Sequence, residues 1–310
     1  MNKTLLTFIF ALNAIIISAQ NISSLVSQQV SIIHSGKSAE YRALEQSISK
    51  SPDAVFKALA SYRTDTLFKV REWTYEQYHR ILMEHEKPQE MRREIVLQLI
   101  EGIADNQLSV RNSCVDYLTE CKRQDFTTQA IEHFAAVFNS EAWFSKDLVL
   151  LAGFIGNSSC RTTLEKLANS PAPAQRRLQW HANLALARMG DNNAINWCLS
   201  QINRIGINDD VVYDLLPGLI YTRQQRMFDF LITALNSDEK LCTSSNPDSE
   251  APILCGYRIM EYFAPVIKGY PLKQLPSGDI DTKDYNKALL TVRDWFSKKN
   301  GEFEILTDSF

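Results

Sequence analysis

Residues that interrupt regular structure are scarce in this chain. It holds 11 glycines and 10 prolines in 310 residues, about 7 % of the total against the ~12 % usual in globular proteins. Turns are therefore few and the elements between them long. Strictly alternating apolar and polar runs, the mark of a half-buried strand, are also hard to find. Apolar residues recur instead at helical spacing, as in EMRREIVLQLIEGIAD from Glu90 to Asp105. The expected fold class is all-α. A basic excess is missing too: the formal net charge is −3 and the pI about 6.0. Neutralised phosphates supply most of the affinity of a nucleic-acid binder, so this balance argues against that partner. Catalytic signatures are absent as well, with no Gly-x-Ser-x-Gly elbow and no phosphate-cradling glycine loop.

What is present begins with a leader. Lys3 precedes an apolar stretch from Leu5 to Ile17, broken by Thr7 and Asn13, and small residues follow up to Ala19. These are the three parts of a secretory signal peptide, and the apolar run is shorter than the ~20 residues a spanning helix needs. Cleavage after Ala19 leaves Gln20 first, with no cysteine nearby to carry a lipid, and removes only Lys3 from the charge balance. The Ala-Gln junction resembles leaders common among Bacteroidetes. The expectation is a periplasmic or secreted protein, with residues 1–19 as signal peptide and no stable membrane anchor after cleavage.

Six cysteines in an exported chain permit disulfides. Cys114 and Cys121 lie seven apart on one helical stretch, so their Cα atoms stand ~10 Å apart, beyond the ~7 Å a disulfide spans. Cys242 and Cys255 flank the polar, proline-containing loop TSSNPDSEAPIL, and a bridge there would restrain it. They are the favoured pair. Cys121 and Cys160 form a weaker second candidate, and Cys114 and Cys198 fall at core positions.

The chain aligns with itself at a period of 34 residues. Val110, Phe144, Leu178 and Val212 open the first helix of successive units. Cys114, Leu148, Ala182 and Leu216 follow one turn later, then Tyr117, Leu151, Ala185 and Leu219, beside Leu118, Ala152, Leu186 and Ile220. A second stripe runs through Ala130, Leu164, Cys198 and Ile232, then Phe134, Ala168 and Ile202, and Asn236 ends it. Each unit is thus a helix, a short turn and a second helix. One such pair cannot cover its own apolar stripes, but stacked pairs can. Small residues such as Ala182 and Ala185 allow close helix approach.

The segment LALARMGDNNAINWCLSQI resembles the second half of a HEAT-like repeat of the phycobilisome-lyase type, through Ala185, Leu186, Ala187, Arg188, Met189, Gly190, Asp191, Ala194 and Ile195. Gly190 suits a left-handed helix end and Asp191 the cap of the next helix. The unit before keeps Ile155, Gly156 and Asn157 in those places. Asp105, Val110, Arg111 and Cys114 are similar to the opening signature, although Ser145, Gln179 and Tyr213 replace its arginine in later units. A tetratricopeptide array has the same period, but its Trp, Leu-Gly, Tyr and Ala spacing is not met. The resemblance implies an α-solenoid, a right-handed superhelix of antiparallel helix pairs. It covers residues 105–236, with helical capping segments at 20–104 and 237–310.

No residue is assigned a catalytic, cofactor or metal role. His79 and His85 are six apart, about 120° around a helix. The remaining candidates are surfaces. In HEAT-like solenoids the second helix commonly lines the concave, partner-binding side, which nominates Glu132 and Lys166 with Trp197 on their flank. The α-helical segment LFKVREWTYEQYHRI crowds Arg71, Trp73, Tyr75, Tyr78 and Arg80 over too many faces to be all buried. The expected function is a non-catalytic interaction protein for a protein, peptide or cell-envelope partner. The alternatives are a HEAT-like enzyme, resembling bilin lyases or DNA-alkylation glycosylases, and a structural spacer.

Overall fold

The computed structural model describes residues 21–40, 42–84, 89–140, 144–172, 176–244 and 251–310. The leader, His85, the Lys87-Pro88 break and the interior of the 242–255 loop lie outside the described residues. The chain is all-α, 69 % helical and without strands among those residues. It divides into two compact units, one reaching to Cys121 and including Asp125–Val137, the other comprising Lys122–Gln124 and Phe138–Phe310.

The first unit contains α1 (residues 21–34), α2 (Glu45–Lys50), α3 (Pro52–Leu59), α4 (Phe68–Met83), α5 (Gln89–Ile103), α6 (Leu108–Thr119) and the start of α7 (Thr128–Ser140). Pro52 opens α3, where its missing N–H costs nothing. Helix α4 packs on α2, α3, α5 and α6, so it is enclosed on most sides. Gly102 in α5 makes this possible: a Cβ there would collide with Cys114 and the Tyr75 ring.

Two arginines tie these helices together at nearly the repeat spacing. Arg71 of α4 donates to both Asp105 carboxylate oxygens, at 2.6 and 2.8 Å, to Asn106 at 2.8 Å and to the Asp65 carbonyl at 2.7 Å. Asp105 also accepts the Gln107 amide at 2.8 Å, fixing the turn into α6. Arg92 of α5 grips the fully buried Asp125 at 2.7 and 3.0 Å and reaches the Leu82 carbonyl near the end of α4 at 2.6 Å.

The second unit contains α8 (Lys146–Ile155), α9 (Arg161–Ala168), α10 (Arg176–Arg188), α11 (Asn192–Ile205), a π-turn (Val211–Leu215) running into α12 (Leu216–Thr222), α13 (Gln225–Leu235), α14 (Gly256–Phe263) and α15 (Tyr285–Lys299). First helices pack on first helices, α8 on α10, α10 on α12 and α12 on α14, while α11 packs on α13. Burial follows the 34-residue register: Leu148, Ala182 and Leu216 are buried, as are Leu151, Ala185 and Leu219, and Leu164 and Cys198 in the second helices. The expected turn chemistry is present. Gly156 and Gly190 sit at φ +65° and +83°, Asn157 accepts the Ser159 amide at 2.8 Å, and Asp191 caps α11 through the Asn193 and Ala194 amides at 2.9 and 3.0 Å.

Cys242 and Cys255 are bonded, with Cα atoms 5.1 Å apart. The neighbouring backbone pairs Cys242 with Ile253 in both directions, at 2.7 and 3.2 Å. Cys121 and Cys160 are not bridged, which corrects the weaker pairing. Each is a buried free thiol, and Cys121, just past α6, spends its S–H on the carbonyl of Tyr117 in the last turn of that helix.

Two outcomes follow from these ties. Alkylation of the denatured protein labels the four free cysteines before reduction and all six after it; a Cys242→Ser/Cys255→Ser variant loses about 3 kcal/mol, the order for a short closed loop, read by urea denaturation. Arg71→Ala leaves Asp105, its side chain 8 % exposed, without its counter-charge at a cost of about 3 kcal/mol. Burial alone would raise the Asp105 carboxyl, but Arg71 and the Gln107 amide outweigh it and hold the pKa below its ordinary value. Such a group contributes stability above its unfolded pKa of about 4 that is lost as pH falls toward the folded value. The urea midpoint of the wild type therefore drops on acidification below about pH 4, and Arg71→Ala flattens that drop.

Candidate functional site

The surface candidates separate in the structure. Arg71, Trp73, Tyr75 and Tyr78 are all buried, which corrects their nomination as surface; of the five, Arg80 alone stays outside the core. The reason is that α4 has helices on most sides and that the Arg71 guanidinium has its donors satisfied. Burial pushes the Tyr78 phenol up to about 12. Arg80 is half-buried and pairs with Glu76 at 3.0 Å. Of this group Trp73 lines a cavity of about 470 Å³, beside Lys69, Glu72, Glu76 and Tyr117. Glu132 and Lys166 are exposed, and Trp197 is half-buried with its ring centroid 6.0 Å from that of Trp180.

The more developed site lies on the first helices of the second unit. A cavity of about 430 Å³ is walled by α8, α10, α12 and α14. Lys146, Trp180 and Asp214 line it, spaced 34 residues apart, as do Leu150, Leu184 and Gly218 one turn further on. The same repeat position thus supplies a cation, an indole and a carboxylate to one hollow. Lys146 and Asp214 are exposed and Trp180 half-buried. Tyr262 adds a ring and donates to the Val212 carbonyl at 3.0 Å. Glu261 is committed elsewhere, accepting from Tyr285 at 2.8 Å and pairing with Arg258 at 3.3 Å. His181 also lines the cavity, and burial lowers its pKa, outweighing the Arg177 carbonyl that favours the charged form.

Close helix approach sets the floor of the site. A Cβ on Gly153 of α8 would stand about 2.5 Å from the Ala185 Cα of α10 and meet the Tyr221 hydroxyl. A Cβ on Gly218 would press on Leu184 at a similar distance. Tyr221 passes through the space at Gly153 and donates to the Leu150 carbonyl, and burial raises its phenol pKa well above the ordinary value.

Beside this floor three arginines converge. Arg188 lies between the Phe154 and Tyr221 rings, 5.3 and 5.1 Å from their centroids, and donates to the Tyr221 carbonyl. Arg123 reaches the Phe154 and Ile155 carbonyls at the end of α8. Arg223, in the left-handed region at φ +56°, donates to Ile220 at 2.5 Å. Burial lowers the pKa of all three, and the charge of Arg188 adds to the fall of Arg223, to about 10. None has a side-chain carboxylate within ion-pair distance among the described residues. Other donors of Arg188 and Arg223 go to a non-helical segment, residues 302–310. Arg223 donates to the Leu306 and Phe310 carbonyls, both at 2.9 Å, and Arg188 to Thr307 at 3.1 Å and Ser309 at 2.8 Å. The Phe310 ring packs on Phe154 and Tyr221, 5.9 and 5.3 Å between centroids.

Sequence reasoning placed the partner face on the second helices and missed this hollow. Its signal was available at the positions two residues beyond Phe144, Leu178 and Val212, where a charged or aromatic residue recurs on the otherwise apolar first helix. The converging arginines had no such signal, because their recipients are backbone carbonyls. Among the described residues no three His, Cys, Asp or Glu side chains converge as metal ligands. No protein-family model, curated protein or solved structure matches the chain.

Substitution at the floor has a diagnostic sign. Glycine to alanine inside a helix ordinarily stabilises by up to about 1 kcal/mol. Gly153→Ala instead forces α8 from α10 and costs about 1–3 kcal/mol, as overpacking does, measured as a lower urea midpoint with an unchanged slope.

Proposed function

We propose that the chain is an exported, non-catalytic interaction protein, a HEAT-like α-solenoid that holds a protein or peptide partner of the cell envelope on the first-helix face of its second unit. The observation that carries this reading is the cavity in which one repeat position presents Lys146, Trp180 and Asp214 together. Concave sites with aromatic walls and a few polar groups are where ligands and partner side chains bind, and a half-buried tryptophan is a common hot spot. The leader supports export. The Cys242–Cys255 bond fits an oxidising compartment, and no helix among the described residues is long and apolar enough to cross a membrane. Burial raises the thiol pKa of Cys160 and Cys198 to about 12 and that of Cys114 and Cys121 as well. Protonated, enclosed thiols are packing groups and not nucleophiles.

The test is mild crosslinking and co-purification from envelope fractions with wild type, Trp180→Ala and the exposed-surface control Lys166→Ala. The expected outcome is a partner recovered by wild type and the control and reduced at least ~10-fold by Trp180→Ala, the size of a ~1.4 kcal/mol hot spot. Melting temperatures establish that all three are folded. Equal recovery by all three, or recovery by none, counts against the reading.

A further inference from the structure

The receptor around Arg188 and Arg223 is more firmly built than the segment lying in it. Arg223 and Tyr221 are buried and Arg188 is held between two rings. No residue from 301 to 310 is buried. The segment is held mainly through its main chain: four of its carbonyls accept from the two arginines, and the Asp308 carbonyl accepts the Arg123 amide at 2.8 Å. Such bonds do not depend on side-chain identity. Sequence-specific anchorage at this receptor rests on the Phe310 ring. The receptor is also larger than its occupant, since Phe310 forms one wall of the 430 Å³ cavity that continues to Trp180 and Tyr262.

Charge points the same way. The Asp308 side chain acts on Arg223 from beyond ion-pair distance, and among the described residues no side-chain carboxylate pairs directly with any of the three guanidinium groups. Glu304 is turned to Lys268, at 2.8 Å. Guanidinium groups bind carboxylates more strongly than carbonyls, so acidic side chains placed on these arginines would be held more tightly than the main-chain oxygens of Leu306, Thr307 and Ser309.

We infer that residues 306–310 are a tethered, exchangeable occupant of a peptide-binding site, and that the site's partner is an acidic, non-helical peptide segment of another protein carrying an aromatic side chain beside its acids. The partner's carbonyls and carboxylates replace those of residues 306–310 on Arg188 and Arg223, and its aromatic ring takes the place of Phe310 or enters the cavity beyond it. This rests on the interaction-protein reading above and names its partner chemistry. Displacement of the tethered segment sets the affinity, because an intramolecular occupant competes at high effective concentration.

The experiment uses the full chain and fluorescence anisotropy with labelled peptides. One peptide copies residues 303–310; a second carries Thr307→Glu and Ser309→Glu; a third carries Asp308→Lys. Phe310→Ala in the protein loosens the tethered segment without touching the receptor. The expected result is at least ~10-fold tighter binding of the copied peptide by Phe310→Ala than by wild type. The acidic peptide binds tighter still and weakens with salt, and the lysine peptide binds weakest. Arg188→Lys on the Phe310→Ala background, which keeps the charge but not the forked donor geometry, loses at least ~10-fold. Should that variant not fold, the peptide charge series decides alone. Equal or absent binding by wild type and Phe310→Ala overturns the inference, as does a lysine peptide that binds as well as the acidic one. These results are separable from co-purification. A loosened variant that binds no peptide defeats the assignment even where Trp180→Ala loses a partner, and charge-ordered peptide binding sustains it even where co-purification recovers none.

Discussion

Each α-helix ends with carbonyls that its own backbone cannot satisfy, and in this protein arginine side chains answer them. Arg92 reaches Leu82 near the end of α4, Arg123 reaches Phe154 and Ile155 at the end of α8, and Arg188 reaches Tyr221 in the last turn of α12. Arg293 does the same for Leu235 and Ser237 at the end of α13, at 2.9 and 2.7 Å. The negative end of the helix dipole makes a cation the favoured partner there. Where the recipient is a turn carboxylate instead, as with Arg71 on Asp105 and Arg161 on Asp191 at 2.7 Å, that carboxylate also caps the next helix or its entering turn. One guanidinium then fixes both the end of one element and the beginning of another. Most of these bonds span roughly one repeat, so the apolar period of the sequence is also a period of polar satisfaction.

The candidate site follows from the same interaction carried further. A single arginine on helix-end carbonyls is a structural tie. Three converging arginines that face main-chain oxygens, with no side-chain carboxylate within ion-pair distance among the described residues, make a region of concentrated, partly desolvated positive charge. Aromatic rings are the compatible neighbours: Phe154 and Tyr221 offer negative π-faces to Arg188 while contributing apolar contact. The small residues complete the arrangement. Without a hydrogen at position 153, Tyr221 could not lie across α8 and reach Leu150, and the sandwich around Arg188 would open.

How much of this could be read in the sequence depended on whether the responsible interaction is periodic and local. The apolar register through Leu148, Ala182 and Leu216 and the Gly190-Asp191 turn were legible, since both follow from burial and backbone geometry within one unit. The Cys242–Cys255 bond was legible because the two cysteines flank a polar loop and stand only 13 positions apart. The burial of α4 was not, because it depends on how many neighbours a helix acquires, and Tyr75 fits only where Gly102 leaves space on another helix. The arginine ties escaped for a different reason. Their recipients are mostly main-chain carbonyls, which every residue carries, so no pair of residue types marks them.

Residues 302–310 bear on whether the segment belongs to the fold or to the function. A stack of helices needs its last apolar face covered, and a segment performing that task should itself be buried. In the second unit α15 already does so, placing Ala288, Leu289, Val292 and Phe296 in the core while Arg293 satisfies the end of α13. Phe303 joins that cluster, 5.4 Å from Phe296, and anchors the start of the segment. Beyond Phe303 the side chains are half-buried or exposed; Glu304 to Leu306 pair with the backbone of Val266 to Lys268, and from the Leu306 carbonyl onward the contacts pass to the guanidinium groups. The segment therefore changes character along its length: its beginning is structural, and its end occupies a charged receptor that α15 leaves open.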